Sequence, residues 1–241
     1  MTTEIPAAAA APASATSSSG AGGGGIPRSL FIFAILYGGM VCIAGVLGAK
    51  QVTLPFGLAV EAGIFPFLLL VVLSSAVAEL HGRETANRLV RFGFIPLVTA
   101  IALIWLVIQL PTDPSMYEPA KPAFPIILGQ SWRLMGAGIV AYGVSQFLNV
   151  YIFSRLRGDT AVARGGLWLA GRGAIASAIS QIVDTLIFIT ISFYGVREIG
   201  DLLVGQAAAK VALSFVLVPF LITGFVALGR SLDGPRAPAG A

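Results

Sequence analysis

Apolar residues in this chain fall in six long runs, and the polar residues gather between them. Each run approaches the ~20 residues that cross a bilayer as a helix. The runs lie at about Ser29–Ala49, Ile64–Leu80, Phe94–Leu110, Trp132–Phe153, Gly173–Tyr194 and Gln206–Leu228. The pattern predicts an all-α polytopic membrane protein with six transmembrane helices. Between the first two, KQVTLPFGLAVEAG is too polar and too broken by proline and glycine to span. A re-entrant or irregular segment, carrying Glu61, is expected there. HGRETANRLVR should turn between the second and third spans. PTDPSMYEPAKPAFP, after the third, should be irregular because of its prolines.

The ends read differently. Residues 1–27 are Ala/Ser/Gly/Pro low complexity, which buries little and is expected to form a disordered tail. Glu4 precedes the alanines, so the segment lacks the basic start of a secretory signal. The expected organisation is a cytoplasmic tail at 1–27, a six-helix domain at 28–229 and a second cytoplasmic tail at 230–241.

Composition agrees with a lipid surroundings. Hydrophobic residues make up 56% of the chain and charged ones only 11%, against about 25% charged in soluble domains. The net charge of +4 does not point to nucleic acid, because the basic residues sit in short interhelical segments, where they set orientation. Arg28, Arg83, Arg88, Arg91, Arg155, Arg157, Arg164, Arg230 and Arg236 fall on one side, and Lys50, Lys121 and Arg197 on the other. The positive-inside rule then predicts both termini in the cytoplasm. Cys42 is the only cysteine and His81 the only histidine, so no internal disulfide and no metal cluster is expected.

One span departs from its apolar neighbours. AIASAISQIVDTLIFITISF, residues 174–193, holds Asp184 near its middle. A charge at membrane depth costs about 2.5–3.5 kcal/mol on insertion scales, so it marks a functional site by default. The preceding span carries nearly the same pattern. AYGVSQFLNVYIF (141–153) aligns without gaps on ASAISQIVDTLIF (176–188), setting Ser145 on Ser180, Gln146 on Gln181, Asn149 on Asp184 and Phe153 on Phe188. Residues three or four apart share a helix face. The two spans are therefore expected to line one small polar chamber suited to a planar, hydrogen-bonding solute. The competing explanation is interhelical adhesion, which Ser, Asn and Gln supply at about 0.6–2 kcal/mol. Adhesion does not need a carboxylate.

Further candidates flank this pair. Glu79 ends the second span beside His81, and either pairs with a basic residue such as Arg83 or takes a gating or ligand role. Arg172 opens the fifth span as a snorkelling anchor or a pocket-facing donor. Trp105, Trp132 and Trp168 suit an interfacial belt. The glycine-rich patches lack a P-loop context, and no nucleophile–base pair or HExxH-like motif is present, so neither a cofactor nor an enzymatic role is expected.

AVAELHGRETANRLV, GQSWRLMGAGIVAYGVSQFLNVYIF and above all RGAIASAISQIVDTLIFITISFYG resemble the queuosine precursor transporter family, a vitamin-uptake-like group of bacterial membrane proteins. The resemblance spans about Glu61 to Gly195, and SQ-x-x-D-T is its most specific motif. It implies a six-helix inner-membrane importer of 7-deazaguanine bases, 7-cyano-7-deazaguanine or 7-aminomethyl-7-deazaguanine, for the queuosine modification of tRNA. Two positions depart from the family pattern: Asn149 and Ser75 stand where the family often has aspartate. The implied substrate site comprises Asp184, Gln181, Ser180, Asn149, Gln146, Ser145, Glu79, Arg172 and Phe188. Asp184 would accept the N–H and NH2 of a guanine-type edge together, and Phe188 or Phe153 would pack on the ring. Two other functions stay open: a substrate-binding subunit working with a separate ATP-driven energising module, or a structural membrane protein. Partners would be the small-molecule base, the bilayer, and an energising protein or a second copy of the chain.

Overall fold

The computed structural model describes residues 25–53, 59–129, 132–157, 165–196 and 198–234. Residues 1–24 of the tail expected at 1–27, the last seven residues, and Arg164, Arg197 and Arg236 lie outside them. Among the described residues, seven helices and one small sheet follow in chain order: α1 (Arg28–Gly48), β1 (Gln51–Thr53), β2 (Ala59–Glu61), α2 (Ile64–His81), α3 (Arg83–Gln109), α4 (Ala120–Leu128), α5 (Trp132–Arg155), α6 (Gly166–Phe193) and α7 (Gly200–Asp233). All except α4 are long and apolar enough to span a membrane, which gives the six expected spans. The protein is a multi-pass membrane protein.

α2 is the centre of the bundle. Its FLLLVVLSSAVA run is apolar all round, the mark of a helix enclosed on every side. Every residue from Leu70 to Ala78 is buried, and α2 packs against α1, α3, α5, α6 and α7. The outer helices instead turn large apolar side chains outward: Phe31 and Ile35 on α1, Phe92 and Trp105 on α3, Phe215 and Phe220 on α7. In water such a surface would aggregate. In lipid it is the expected exterior.

Tight contacts rest on glycine at a few points. A Cβ on Gly93 would overlap the Tyr142 hydroxyl and the Tyr37 ring, so only glycine lets α3 close over these two tyrosines. Their hydroxyls bond each other at 3.0 Å, and Tyr142 also donates to the Val90 carbonyl at 3.2 Å. Gly82, at φ 87°, makes the turn between α2 and α3. α3 begins at the next residue, so the basic stretch expected to be a turn is mostly the first part of a helix. One left-handed glycine reverses the chain.

Two other segments are more regular than expected. The region after α1 forms an antiparallel ladder, with Gln51 opposite Glu61 and Val52 opposite Val60. The Ala62 N–H bonds the Lys50 carbonyl at 2.7 Å and closes it. The proline-rich loop after α3 contains α4, which corrects the expectation of irregular chain. Pro122 falls in its first turn, where the missing N–H costs nothing, and Pro125 lies near its end. Ahead of it, the Ser115 hydroxyl and N–H both bond Asp113, which holds that exposed carboxyl below its usual range.

Both termini of the bundle meet at one end. Ser29 donates its N–H at 2.9 Å and its hydroxyl at 2.7 Å to the Asp233 carboxylate, and His81 Nε2 lies 2.7 Å from the same hydroxyl. This clasp ties α1, α2 and α7. α7 therefore continues as helix through Asp233, beyond the expected limit of the sixth span. At the other end Arg133 donates to the carbonyls of Ile191 and Tyr194, satisfying the C-terminus of α6. Asp233→Ala takes the partner of the Ser29 N–H and leaves the buried hydroxyl with His81 alone, at a cost of about 1–3 kcal/mol. A lowered melting midpoint of the detergent-purified variant, with unchanged helicity, is the expected result.

Candidate functional site

The polar interior is built by α2, α5, α6 and α7. Asp184 on α6 is 6% exposed, and its partner is a residue that the sequence pattern left at a span end: Lys210 of α7. Lys210 Nζ donates to Asp184 Oδ2 at 3.0 Å, and Ser145 Oγ of α5 donates to Oδ1 at 3.3 Å. Each carboxylate oxygen is thus occupied. Ser177 of α6 and Ser214 of α7 bond at 2.9 Å nearby, joining the same two helices.

Lys210 was legible in principle. Gln206, Lys210, Ser214, Val218, Ile222 and Val226 recur every four residues on α7, and all six are buried. A polar stripe that continues an apolar one along a single helix face points inward. Its lysine therefore had to meet a carboxylate, and Asp184 was the candidate at membrane depth.

A cavity of about 500 Å³ adjoins this pair, in the half of the bundle that carries the β1–β2 ladder and α4. Its volume lies within the usual range for small-molecule sites. Asp184, Lys210, Glu61, Tyr142 and Phe188 contribute to its wall, and the rest is mainly aliphatic. Gln206 Nε2 approaches Glu61 Oε1 at 3.5 Å, so a second carboxylate stands near the same helix face. The lining is apolar with a few convergent charges, the character expected of a ligand pocket.

The other expected site residues separate into two groups. Gln146 and Asn149 face α2. Asn149 Nδ2 donates to the Val71 carbonyl and the Ser74 and Ser75 hydroxyls at 3.0–3.2 Å, while Ser74 Oγ donates to Gln146 Oε1 at 3.3 Å. Ser180 Oγ bonds back to the Ser177 carbonyl of its own helix. Gln181 is fully buried with neither amide atom paired, and Gln146 Nε2, Asn149 Oδ1 and Thr185 Oγ1 are also unpaired. This layer lies behind the cavity wall. The structure brings Ser145 and Asp184 together but divides the remaining amides between interfaces.

Glu79, Arg172 and Phe153 stand at the terminus-bearing end. Arg172 donates to Glu79, and Arg157 lies 3.8 Å from the same carboxylate. Arg172 is thus buried in an ion pair rather than snorkelling, and Glu79 pairs with it rather than with Arg83. The Arg172 guanidinium lies 4.2 Å from the Phe153 ring centroid. Phe188 is accordingly the aromatic residue of the aligned pair that reaches the cavity.

The cavity, the six spans and the buried ion pair define the class: a polytopic membrane protein with an internal cavity beside a buried ion pair. Residues 61–224 match the family described as "Putative vitamin uptake transporter". The match covers most of the chain, including Glu61, Asp184 and Lys210, and the protein belongs to that family of transporters. It is similar to the "Probable queuosine precursor transporter" of Bacillus subtilis (strain 168), with 26% identity over 168 residues, 68% of this chain and 71% of the relative. No solved structure matches the chain.

Removing one member of a buried ion pair costs about 3–5 kcal/mol, because the other charge is left alone. Lys210→Met should lower the melting midpoint of the purified protein substantially. Asp184→Asn/Lys210→Met, which has no orphan charge, should recover most of the loss. Additive effects in the double variant would show that the two groups do not interact.

Proposed function

We propose that the protein imports 7-deazaguanine bases, the queuosine precursors, across the bacterial inner membrane. The observation that carries this reading is a buried carboxylate, Asp184, at the wall of a cavity of about 500 Å³. A guanine-type edge presents a ring N–H beside an exocyclic NH2, and one carboxylate accepts both. Lys210 supplies the complementary donor for the ring carbonyl. It also keeps the carboxylate matched when the site is empty. Phe188 is available to pack on the ring face. The name of the Bacillus subtilis relative agrees with this substrate class.

The arrangement also supports an outward-facing state. The cavity lies in the half opposite both termini, and the basic residues of the terminus-bearing end support a cytoplasmic position for it. Glu79, Arg172 and Phe153 close the cytoplasmic side. The unpaired amides of Gln181 and Gln146 are the polar groups a solute would meet next as the pathway opens inward.

Preference between the two precursors follows from charge. Asn149 and Ser75 bond each other at 3.0 Å and are both neutral. A cationic aminomethyl group would find no anion at that layer, so the 7-cyano form is the better fit.

Uptake is measured in cells unable to make the base, without their own importer and without ATP-driven vitamin-importer modules, by queuosine in tRNA. The wild-type chain should restore it with 7-cyano-7-deazaguanine. Asp184→Asn should not, and neither should the charge-balanced Asp184→Asn/Lys210→Met if the single variant fails to accumulate. Restoration by a variant present in the membrane would refute the role of Asp184. Failure of the wild-type chain alone would point to a separate energising partner or another solute. Asn149→Asp adds an anion and should shift competition roughly tenfold toward the aminomethyl form, the scale of one favourable charge contact.

A further inference from the structure

A second cavity, of about 340 Å³, lies at the terminus-bearing end and is lined by Ala78, Arg83, Phe153, Ser154, Arg155, Arg157 and Arg172. Four of its seven wall residues are arginines. Its balance of charge is unlike that of the larger cavity, where carboxylates face one lysine. Among the described residues Glu79 is the only carboxylate paired with any of these arginines, and it takes Arg172 and Arg157. Arg83 rests on the Tyr151 ring, 4.9 Å from its centroid, and it and Arg155 form no salt bridge among the described residues.

Unsatisfied donors decide what this cavity is for. Arg172 is 3% exposed, and among the described residues only one of its three nitrogens has a partner; Nε and Nη1 are buried with none. Ser154 Oγ, in the same wall, is also buried without a partner. Buried guanidinium N–H groups left unpaired carry the full cost of desolvation. A ligand that supplies several acceptor oxygens and negative charge would relieve it. Guanidinium groups match phosphate oxygens in a planar, two-pronged way, and a hydroxyl donor adds a third contact.

We infer that this cavity is a binding site for a phosphate-bearing anion, separate from the solute cavity and independent of the substrate proposed above. The phosphate can come from an anionic lipid headgroup, which basic pockets between cytoplasmic helix ends recognise, or from a soluble phosphate compound. Phe153 and the Arg172–Glu79 pair form one side of the site. An anion bound there draws on the arginine that also holds Glu79, so occupancy bears directly on closure of that end of the bundle.

The test uses the full chain with two probes. Native mass spectrometry reads retention of phosphatidylglycerol against phosphatidylcholine from mixed micelles, and titration calorimetry reads inorganic phosphate in phosphate-free detergent buffer. Preferential retention of phosphatidylglycerol assigns the site to lipid; binding of phosphate assigns it to a soluble ligand. Either supports the inference. Arg83→Gln/Arg155→Gln, which spares the Glu79 pairs, should weaken the positive probe about tenfold or more, as expected for lost charge-assisted contacts. Arg91→Gln/Arg230→Gln removes the same charge at exposed positions of the same end and should change it less than about twofold. If the first double variant does not accumulate, Arg155→Gln alone should show the loss. Binding of neither probe, equal weakening by both double variants, or undiminished binding in the pocket variant would overturn the site.

Discussion

The structure depends on one electrostatic constraint: Asp184 is ionisable, buried and surrounded by apolar helices. Only 6% of it is exposed, too little for water to solvate the charge fully, so its charge must be matched by the protein. Lys210 does so from α7 at 3.0 Å, and Ser145 adds a hydrogen bond from α5. This requirement fixes the rotation of three helices at once. α7 has to turn its Gln206–Lys210–Ser214 face inward, and the apolar residues at the same spacing then follow it into the core. The Ser177–Ser214 bond, one turn further along, holds the same rotation. The pair is an organising contact even where its net contribution to stability is small, because breaking it is costly and no other rotation of α7 satisfies it.

The two ends of the bundle are built on different principles. At one end α1, α2, α3 and α5 line the large cavity, bordered by the short β ladder and α4. At the other, the chain is drawn together by polar clasps. Ser29, His81 and Asp233 join α1, α2 and α7, and Glu79 and Arg172 join α2 to α6. Between them lies the buried polar layer of Gln146, Asn149 and Gln181. α2 contributes to all three regions, which is why its interior run is enclosed on every side.

Much of the fold was legible in the chain because span length and apolarity depend on few variables. The six spans were placed within a few residues, apart from early starts of α3, α6 and α7 and a late end of α7. Those differences have a common cause: charged residues at the membrane surface can remain helical, and hydropathy alone ends a helix too soon. The sheet register and α4 depend on local hydrogen bonds that no hydropathy pattern expresses. Asp184 stood out because its type conflicts with its surroundings. Lys210 did not, because its helix face is visible only when residues four apart are followed through Val226. The aligned SQ motifs suggested one chamber, yet equal spacing fixes only which residues share a face. It does not say which neighbour that face meets, and α5 directs Gln146 and Asn149 to α2.

The two positions at which the chain departs from the family pattern are in direct contact, a fact invisible in the sequence, where 74 residues separate them. Asn149 Nδ2 donates to Ser75 Oγ, to Ser74 Oγ and to the Val71 carbonyl, so the amide takes part in a network made of donors and lone pairs without net charge. Two carboxylates in these places would repel each other at membrane depth and would need a proton or a cation between them. Replacing only one by a neutral residue would leave a lone anion with no lysine in reach, since Lys210 already serves Asp184. The neutral pair therefore makes sense as a unit: each substitution removes the reason for the other charge. The interior is left with the Asp184–Lys210 pair and Glu61 at the cavity wall and a polar but uncharged layer behind them.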